Sequence, residues 1–252
     1  MTNPINLASS MLATVAALPR GLMSRPAAEQ PAALLELYEM ENCPYCRVVR
    51  EVLTTLDLDA MIYPCPKGGM RFRPKVIELG GKAQFPFLVD PNTGTQMYES
   101  ADIVRYLYDT YADRRSLPSF VVKTVNATGA SVASAVRFGA GMQARESQLP
   151  GLALQLWSFE SSPYARLVRE RLCELELPYQ LHNIGKAKVS DFILPGIRRR
   201  LLPNYEHKGR NRVALFERTG AVQAPYLYDP NTDVGLFESA DILDYLTSHY
   251  AV

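Results

Sequence analysis

The chain has 252 residues, of which 47% are hydrophobic, and its 27 basic and 26 acidic residues leave a formal net charge of +1. That length fits one or two domains with enough apolar side chains for a core. A nearly neutral chain gives no electrostatic reason to expect binding to nucleic acid or to an anionic membrane surface. Its four cysteines are too few and too unevenly placed for a secreted disulfide framework. We therefore expect a reducing compartment, the cytoplasm or an organellar stroma.

Residues 1–33 are expected to form an N-terminal arm. Its apolar patch, residues 7–18, lacks a preceding basic region and is too short to span a bilayer. We therefore expect neither a secretory signal nor a transmembrane segment, but an ordered helical arm. A transit peptide is the alternative, because Arg20 and Arg25 precede the first acidic residue, Glu29.

The first strong pattern surrounds two cysteines. An apolar run from Leu35 to Met40 indicates a buried strand, and apolar residues then recur with helical spacing from Val48 to Leu56. Cys43 and Cys46 therefore lie at a strand-to-helix turn, where unpaired N–H groups and the helix dipole favour a thiolate. Cys46 is near enough to attack a mixed disulfide on Cys43. The pattern predicts thiol chemistry, with a structural zinc pair or an inert buried pair as the alternatives.

The sequence contains an internal duplication. Residues 37–53 align with residues 156–172, residues 86–93 with 225–232, and residues 98–103 with 237–242. The shift grows from 119 to 139 residues, so the second copy carries about 20 extra residues between its motifs. In each copy we expect a strand, the motif helix, a second strand, a short helix, a hairpin and a closing helix. Ser100 and Ser239 are expected to cap the closing helices.

The duplication sets the expected boundaries, which are domain 1 over residues 34–112, a helical linker over 113–150 and domain 2 over 151–252. The centre of the linker, residues 120–144, is rich in small apolar residues and has few charges. That composition suits a close-packed helix. Met23 and Met142 also match at the 119-residue shift, so we expect arm and linker to be equivalent, each packing on a domain or on the other unit.

Three motifs of the first copy resemble known families. Cys43–Cys46, a Cys-Pro-Tyr-Cys motif after a strand, resembles the dithiol glutaredoxin active site. Residues 84–90 resemble the strand that carries the cis-proline of the thioredoxin fold. Residues 98–103 resemble the Glu-Ser motif with which glutathione transferases hold the γ-glutamyl end of glutathione. From about residue 34 to 252 the chain is similar to tandem proteins with two N-terminal glutathione-transferase-type domains.

This resemblance implies an α/β fold of two tandem thioredoxin-like βαβαββα domains, each with a four-stranded mixed sheet. The all-helical domain that usually follows these motifs in transferases is not expected. In the first unit, Cys43 would be the nucleophile, Cys46 the resolving thiol and glutathione the co-substrate. The residues implied to contact glutathione are Tyr45, Phe85, Pro86, Glu99, Ser100 and Asp102.

Among these residues, Tyr45 would cover the ligand, and the backbone of Phe85, before the cis-proline Pro86, would pair with its cysteinyl part. Ser100 would hold the γ-glutamyl carboxylate, with a plain helix cap as the alternative. Glu99 and Asp102 would bind the ammonium.

The loop after the second strand offers further candidates. Lys67, Arg71 and Arg73 are candidates for the glycine carboxylate of glutathione, with a solvated basic loop as the alternative. Cys65 ends the second strand on the edge where Cys43 lies, so it is either a third redox partner or a passive cysteine. Cys173, beside apolar residues of a helix, is expected in the core.

The second copy lacks both thiols, with Ser162 in place of Cys43 and Ala165 in place of Cys46. It therefore cannot perform dithiol chemistry. Its motif resembles the serine-type glutathione transferase signature, in which a hydroxyl stabilises a bound thiolate. A plain helix cap is the alternative role for Ser162. The residues implied to bind glutathione there are Ser162, Tyr164, Pro225, Glu238 and Ser239.

We therefore expect a glutathione-dependent thiol–disulfide oxidoreductase that reduces small disulfides or glutathionylated proteins through Cys43. One rival is a conjugating glutathione transferase that uses Ser162 or Cys43. The other is a non-enzymatic protein that binds glutathione, or an iron–sulfur cluster bridged between two copies through Cys43. We expect no metal site within a single chain, because no histidines are paired at ligand spacing. A homodimer is the candidate assembly. The basic insert at residues 197–212 is a candidate site for an anion or an acidic partner, with solvated surface as the alternative.

Overall fold

A computed structural model describes residues 7–12, 21–112, 139–193, 197, 200–202 and 205–252. The strands are β1 (Leu35–Glu39), β2 (Ala60–Pro64), β3 (Phe87–Asp90), β4 (Thr95–Met97), β5 (Leu154–Ser158), β6 (Tyr179–Asn183), β7 (Tyr226–Asp229) and β8 (Val234–Leu236). The α-helices with defined bounds are α1 (Pro44–Thr55), α2 (Arg73–Gly80), α3 (Ser100–Tyr111), α4 (Pro163–Glu174), α5 (Arg210–Thr219) and α6 (Ser239–Tyr250). A 3₁₀ turn spans Val189–Phe192.

The strands form one eight-stranded mixed sheet in the order β4-β3-β1-β2-β6-β5-β7-β8. In each half the first two strands are parallel and the next two are antiparallel. The halves meet where β2 and β6 pair antiparallel, with Ala60 opposite Leu181 and Ile62 opposite Tyr179. This register relates the halves by an approximate two-fold axis through the pair of Met61 and Gln180.

The prediction of a separate four-stranded sheet in each unit is therefore corrected. Strand β2 would be the apolar edge of an isolated unit, and an unpaired apolar edge invites pairing with another strand. Pairing β2 with β6 removes both edges from solvent. One apolar cluster consequently includes residues of both halves, among them Leu37, Leu53, Leu107, Leu156, Leu172 and Leu246.

The closing helices are attached to the hairpins by a repeated hydrogen-bonding group. Asp90, in the first hairpin, accepts hydrogen bonds from the hydroxyls of Tyr106 at 2.6 Å and Tyr111 at 2.5 Å. In the second half, Asp229 accepts corresponding bonds from Tyr245 at 2.7 Å and from Tyr250. Because each carboxylate is satisfied by hydroxyls of the following helix, α3 and α6 take the same position in the two halves.

The expectation that Ser100 and Ser239 cap these helices is wrong by one position. Glu99 and Glu238 are the N-cap residues, with φ values of 64° and 60°, and the serines are the first helical residues. The left-handed backbone at each glutamate turns the chain from the hairpin into the helix. That turn leaves the serine in the first turn, among the free N–H groups.

The segments that precede the two units cross over to the opposite unit. Residues 22–24 of the arm pair with Lys186 of the second half, through Ser24 N–H to the Lys186 carbonyl at 2.9 Å. Residues 142–144 pair with Lys67 of the first half, through Ala144 N–H to the Lys67 carbonyl at 2.9 Å. Arm and linker are thus equivalent over these residues, each on the other unit.

Two details of the arm and linker differ from expectation. The structural equivalent of Met23 is Gln143, one residue beyond Met142. Residues 139–144, the described part of the predicted linker helix, form turns and a bridge because Gly139 and Gly141 have positive φ values of 83° and 73°.

Residues 7–12 of the arm are helical. Residues 1–6 and 13–20 of the arm, linker residues 113–138, and residues 194–196, 198–199 and 203–204 of the insert region lie outside the described residues.

A buried ionic cluster lies between the two motif helices. Arg50 of α1 donates to the backbone carbonyl of Glu41 at 3.0 Å and pairs with the carboxylate of Glu160 in the other half at 2.9 Å. Arg169 of α4 repeats this pattern, donating to the Glu160 carbonyl at 3.1 Å and pairing with the Glu41 carboxylate at 3.1 Å. Both arginines are 1% exposed. Each arginine therefore joins its own half to the other half.

We predict that Arg169→Met lowers the free energy of unfolding by about 3–5 kcal/mol, because it leaves Glu41 and Glu160 buried without one of their cations. Urea unfolding followed by circular dichroism measures this change. Lys75→Met is the control, since Lys75 pairs with Glu78 on the surface and its removal should cost about 0–1 kcal/mol. Equal effects of the two substitutions would contradict a structural role for the cluster.

Candidate active site

The two thiols of the first half lie at the N-terminus of α1, directly after β1. Cys43 is the N-cap residue with an extended backbone, and its Sγ accepts a hydrogen bond from the N–H of Cys46 at 3.4 Å. Pro44, which has no N–H to donate, occupies the first turn. Cys43 keeps 8% of its surface exposed, whereas Cys46 is fully buried. A reagent in solution therefore reaches Cys43 first.

Hydrogen bonds lower the pKa of Cys43. The side-chain hydrogen bond with Cys46 has the largest effect on this pKa. Burial acts in the opposite direction. The N–H groups of Cys46 and Tyr45 and the charge of Arg50 lower the pKa further. The pKa of Cys43 falls from 9.0 to about 6. Burial and the hydrogen bond to Cys43 raise the pKa of Cys46 well above 9.0. At neutral pH the site therefore holds Cys43 as a thiolate and Cys46 as a thiol.

The sheet places the proline strand beside this turn. Strand β3 runs antiparallel to β1, and Tyr38 near the end of β1 pairs with Phe87 at the start of β3. Pro86, just before β3, is therefore next to the thiol turn. The Phe85–Pro86 peptide bond is cis, and so is Ala224–Pro225 in the second half. The cis bonds implied by the resemblance are present.

A glutamine in each half binds the N-cap glutamate and was missed by sequence reasoning. Gln84 Nε2 donates to Glu99 Oε1 at 2.5 Å, and Gln223 Nε2 donates to Glu238 Oε1 at 2.6 Å. Both glutamates are exposed, and each glutamine comes two residues before its cis-proline. The sequence could have identified these glutamines, because they align with each other at the 139-residue shift between the copies. These bonds connect the proline strand to the start of the closing helix.

The other predicted ligand residues of the first half lie at the start of α3 and in the thiol turn. Ser100 is buried in the first turn of α3, beside Glu99. Asp102 follows on the exposed side of the helix and pairs with Arg105 at 3.0 Å. Tyr45 is 52% exposed beside the thiols, and its counterpart Tyr164 is 41% exposed. The exposed tyrosine rings are open to a ligand at either site.

The three basic residues of the loop after β2 differ in their availability. Arg71 donates to the carbonyls of Leu175, at 3.0 Å, and Glu176, at 3.3 Å, at the end of α4, so it joins the two halves. Arg73 donates to the Pro66 carbonyl at 2.6 Å and lies over the ring of Phe85 at 4.8 Å. Lys67 is exposed. The structure therefore places Arg73 beside Phe85 and uses Arg71 at the junction, while Lys67 is open to solvent.

The other two cysteines are buried. Cys65 is fully buried among Tyr38, Val76 and Phe87, and burial raises its pKa. Cys173 lies at the junction of the halves, where its Sγ accepts the N–H of Glu41 at 3.5 Å, and burial raises its pKa as well. A buried thiol with a raised pKa is a poor nucleophile. Burial therefore favours a passive role over a redox role for Cys65, and Cys173 is buried as expected.

The start of α4 repeats the geometry of the thiol turn with a hydroxyl. Ser162 is the N-cap residue, and its Oγ accepts the N–H of Ala165 at 3.2 Å. The arm contacts this turn, because Ser10 Oγ donates to the Pro163 carbonyl at 2.7 Å and Arg166 Nη1 donates to the Ser10 carbonyl at 3.2 Å. Ser162 therefore acts as a helix cap in this structure.

Two further findings concern the described residues as a whole. Over these ranges, no three histidine, cysteine, aspartate or glutamate side chains are grouped as a metal site requires. No helix within them has the length and apolar composition needed to cross a bilayer.

Comparison of the sequence with models of known protein families matches both halves of the chain to the same family. The family model described as glutathione S-transferase, N-terminal domain, matches residues 37–115 and again residues 156–251. Together the two matches cover more than half of the chain. The chain belongs to the glutathione S-transferase N-terminal domain family. Membership supports a function that involves glutathione, and the two matched ranges contain the two N-cap positions, Cys43 and Ser162.

Individual relatives match only part of the chain. The glutathione S-transferase-like protein tpcF of Aspergillus fumigatus is 35% identical over 79 residues, which is 31% of this chain and 26% of that protein. The chain thus spans about a quarter of the length of this curated relative. The structure of the Bombyx mori glutathione transferase BmGSTD1 is matched over 36% of this chain and 42% of that chain, at 24% identity and a TM-score of 0.30.

We predict that alkylation of Cys43 by iodoacetamide reaches half its maximal rate at about pH 6. The pH dependence of labelling, followed by mass spectrometry, measures this midpoint. Cys46→Ala, which introduces the residue of the second half, should raise the midpoint because the hydrogen bond from Cys46 contributes most to the lowering. A midpoint of ~8.5 in the unaltered chain, the value of a free cysteine, would show that the turn does not activate the sulfur.

Proposed function

We propose that the chain is a glutathione-dependent thiol–disulfide oxidoreductase that acts through Cys43. The observation that supports this most is the N-cap position of Cys43, where hydrogen bonds from Cys46 lower its pKa to about 6. The chain belongs to a family named for glutathione, which supports glutathione as the co-substrate. Reduction of small disulfides or glutathionylated proteins, in a reducing compartment such as the cytoplasm, is the function that fits these properties best.

The proposed reaction begins with the Cys43 thiolate. It attacks the glutathione sulfur of a mixed disulfide, a new bond joins Cys43 to glutathione, and the substrate thiol leaves with the electron pair of the broken bond. A second glutathione thiolate can then attack the glutathione sulfur on Cys43, which releases oxidised glutathione and reduced protein. Alternatively, Cys46 attacks Cys43 and releases reduced glutathione, leaving a Cys43–Cys46 disulfide. Cys46 lies beside Cys43 in the structure, so the second route is open as well.

We propose that glutathione binds along the edge formed by the proline strand and the start of α3. The backbone of Phe85, before the cis-proline Pro86, would pair with the cysteinyl part. Ser100 and the free N–H groups of the first turn would bind the γ-glutamyl carboxylate. Glu99, positioned by Gln84, would bind the ammonium. Asp102 would assist Glu99 by releasing Arg105.

We further propose that residues 34–112 and 151–252 are two copies of one thioredoxin-like unit and that the second copy binds glutathione without exchanging it. Its proposed contacts are Ser162, Tyr164, Pro225, Glu238 and Ser239. The support is the repeated pair of Gln223 and Glu238, which is as close as the pair in the first copy. A purely supporting copy would need neither this pair nor an exposed tyrosine.

We predict that Cys43→Ser abolishes reduction of a glutathione mixed disulfide, because it removes the nucleophile. Cys46→Ser should keep most of the activity, since external glutathione can release the intermediate. Ser162→Ala is the matched control at the equivalent position of the other half and should leave the rate unchanged. The assay couples glutathione oxidation to glutathione reductase.

Each rival function predicts a different result for the Cys43→Ser and Ser162→Ala variants. Conjugation of an aromatic electrophile that survives Cys43→Ser and is lost in Ser162→Ala would favour a transferase. Charge-transfer bands of an iron–sulfur cluster in protein purified without oxygen, lost in Cys43→Ser, would favour a binding protein. Full disulfide reduction by Cys43→Ser would contradict the proposed site.

We predict that calorimetric titration of Cys43→Ser with glutathione gives two binding sites per chain. Glu99→Ala should remove the first site and Glu238→Ala the second, because each glutamate is proposed to bind the ammonium. Glu78→Ala is the control, because Glu78 is an exposed glutamate that pairs with Lys75 on α2, outside the proposed contacts. One site per chain that disappears entirely in Glu99→Ala would show that the second copy does not bind.

A further inference from the structure

A cavity of about 850 Å³ lies beside the start of α5, in the second half of the chain. Three separate segments form its wall, which are residues 24–26 of the arm, Ala187 after β6, and residues 207–210 with Val213. Sites for small molecules have volumes of about 300–1,000 Å³, so this cavity is large enough for one. Among the described residues that line it, three carry a positive charge and none carries a carboxylate. The lining therefore favours an anionic ligand.

The internal duplication shows that one of the cations, Arg25, lacks the partner of its counterpart. Arg25 N–H donates to the Thr55 carbonyl at 2.7 Å. In the other half, Arg145 N–H donates to the Glu174 carbonyl at the same distance, so the two arginines are equivalent. The guanidinium of Arg145 also pairs with the Glu174 carboxylate at 3.2 Å. Thr55 offers Arg25 no carboxylate, and Arg25 forms no ion pair in the part of the chain that the structure describes.

The backbone at the start of α5 also lacks a carboxylate that its counterpart has. In the first half, the Glu176 carboxylate accepts the N–H groups of residues 70 and 71 at 3.2 and 3.1 Å. The counterparts of these residues are Gly209 and Arg210, at the 139-residue shift. Within the described ranges, no carboxylate accepts the N–H groups of Gly209 or Arg210. A pair of backbone donors that binds a carboxylate in one half is thus open to another anion in the other half.

The counterpart of Glu176 is Asp57, whose side chain is one methylene shorter. Arg210 donates to the Asp57 carbonyl at 3.4 Å. Arg71 donates to the Glu176 carbonyl at 3.3 Å, so the two acidic residues occupy equivalent positions. Burial raises the pKa of Asp57 to about 7 against the attraction of Arg210. Near neutral pH this carboxyl group is therefore only partly ionised and repels an anion weakly.

The charges around the cavity leave a positive surplus. The Arg210 guanidinium pairs with the Asp59 carboxylate at 3.1 Å. Lys208, which occupies the position of Gly69 in the first half, forms no ion pair with any described residue. The charges of Arg25 and Lys208 are thus left without partners. A phosphate monoester carries a charge of about −1.5 to −2 near neutral pH and has three acceptor oxygens, so it matches this surplus better than a single carboxylate does.

We propose that this cavity binds the phosphate group of a small phosphorylated molecule. The N–H groups of residues 209 and 210 hold the phosphate oxygens, because unpaired donors and the dipole at a helix N-terminus attract anions. Arg25 from the arm and Lys208 from the basic insert pair with the phosphate charge. Pro26 and Val213 contact the apolar part of the molecule. The cavity is lined by residues outside both predicted glutathione sites, so this inference does not depend on the proposed function.

Calorimetric titration of the full chain with phenyl phosphate at neutral pH tests the site. We expect one phenyl phosphate per chain with a Kd below about 1 mM. Inorganic phosphate should bind more weakly because it lacks the apolar ring, and benzoate should bind at least about tenfold more weakly because it carries only one charge.

Asp57→Glu introduces the residue of the first half and should weaken phenyl phosphate binding by about tenfold or more, because the longer carboxylate reaches the N–H groups. Position 57 accepts a glutamate, since Glu176 has a similar positive φ of 48° against 54° for Asp57. Arg25→Met should weaken binding by about tenfold as well, because it removes one of the unpaired charges. Arg145→Met, at the equivalent arginine, is the matched control and should leave the affinity unchanged.

The outcomes separate this inference from the proposed function. Disulfide reduction through Cys43 should be unchanged in all three variants. Absence of saturable phenyl phosphate binding, or equal affinity in Arg25→Met and the unaltered chain, would overturn the inference. Equal weakening by Arg145→Met and Arg25→Met would also overturn it, because the anion would then not be specific to this cavity. Inorganic phosphate that binds as tightly as phenyl phosphate would overturn the assignment to a phosphorylated molecule in favour of free phosphate.

Discussion

Two buried arginines, Arg50 and Arg169, determine how the halves of this chain fit together. Each binds a backbone carbonyl of its own half and a carboxylate of the other half. They extend from α1 and α4, the helices that begin at Cys43 and Ser162. Because a buried ion is costly unless it is paired, these contacts allow little variation in the relative position of the two helices. Pairing of β2 with β6 then completes one continuous sheet.

The junction also affects the chemistry of the first half. Arg50 binds both Glu160 of the second half and Glu39 at the end of β1, and the charge of Glu160 raises the pKa of Glu39, so the charge on Glu39 depends on a residue that follows β5. Arg50 in turn contributes to the lowered pKa of Cys43. The half without thiols is thus part of the electrostatic surroundings of the half with thiols. This connection gives a physical reason for the two halves to form one folded unit.

Local features of the site could be predicted from sequence because local chemistry determines them. The strand-to-helix turn at Cys43, the proline strand and the hairpins follow from periodicity and from proline and asparagine positions. The pairing of β2 with β6 was missed, because it depends on contacts far apart in sequence. Arg50 and Arg169 were not expected to be buried, since arginine is usually exposed. Their recurrence in both copies was the signal that could have identified them.

The central claim is that Cys43 is the single thiol that forms a mixed disulfide with glutathione. Mass spectrometry of Cys46→Ser after incubation with oxidised glutathione at neutral pH tests it most directly, because the adduct cannot be resolved internally. We expect one glutathione per chain, and peptide mapping should locate it on Cys43. An adduct on Cys65 or Cys173, or no adduct while the free thiol of Cys43 persists, would contradict the claim.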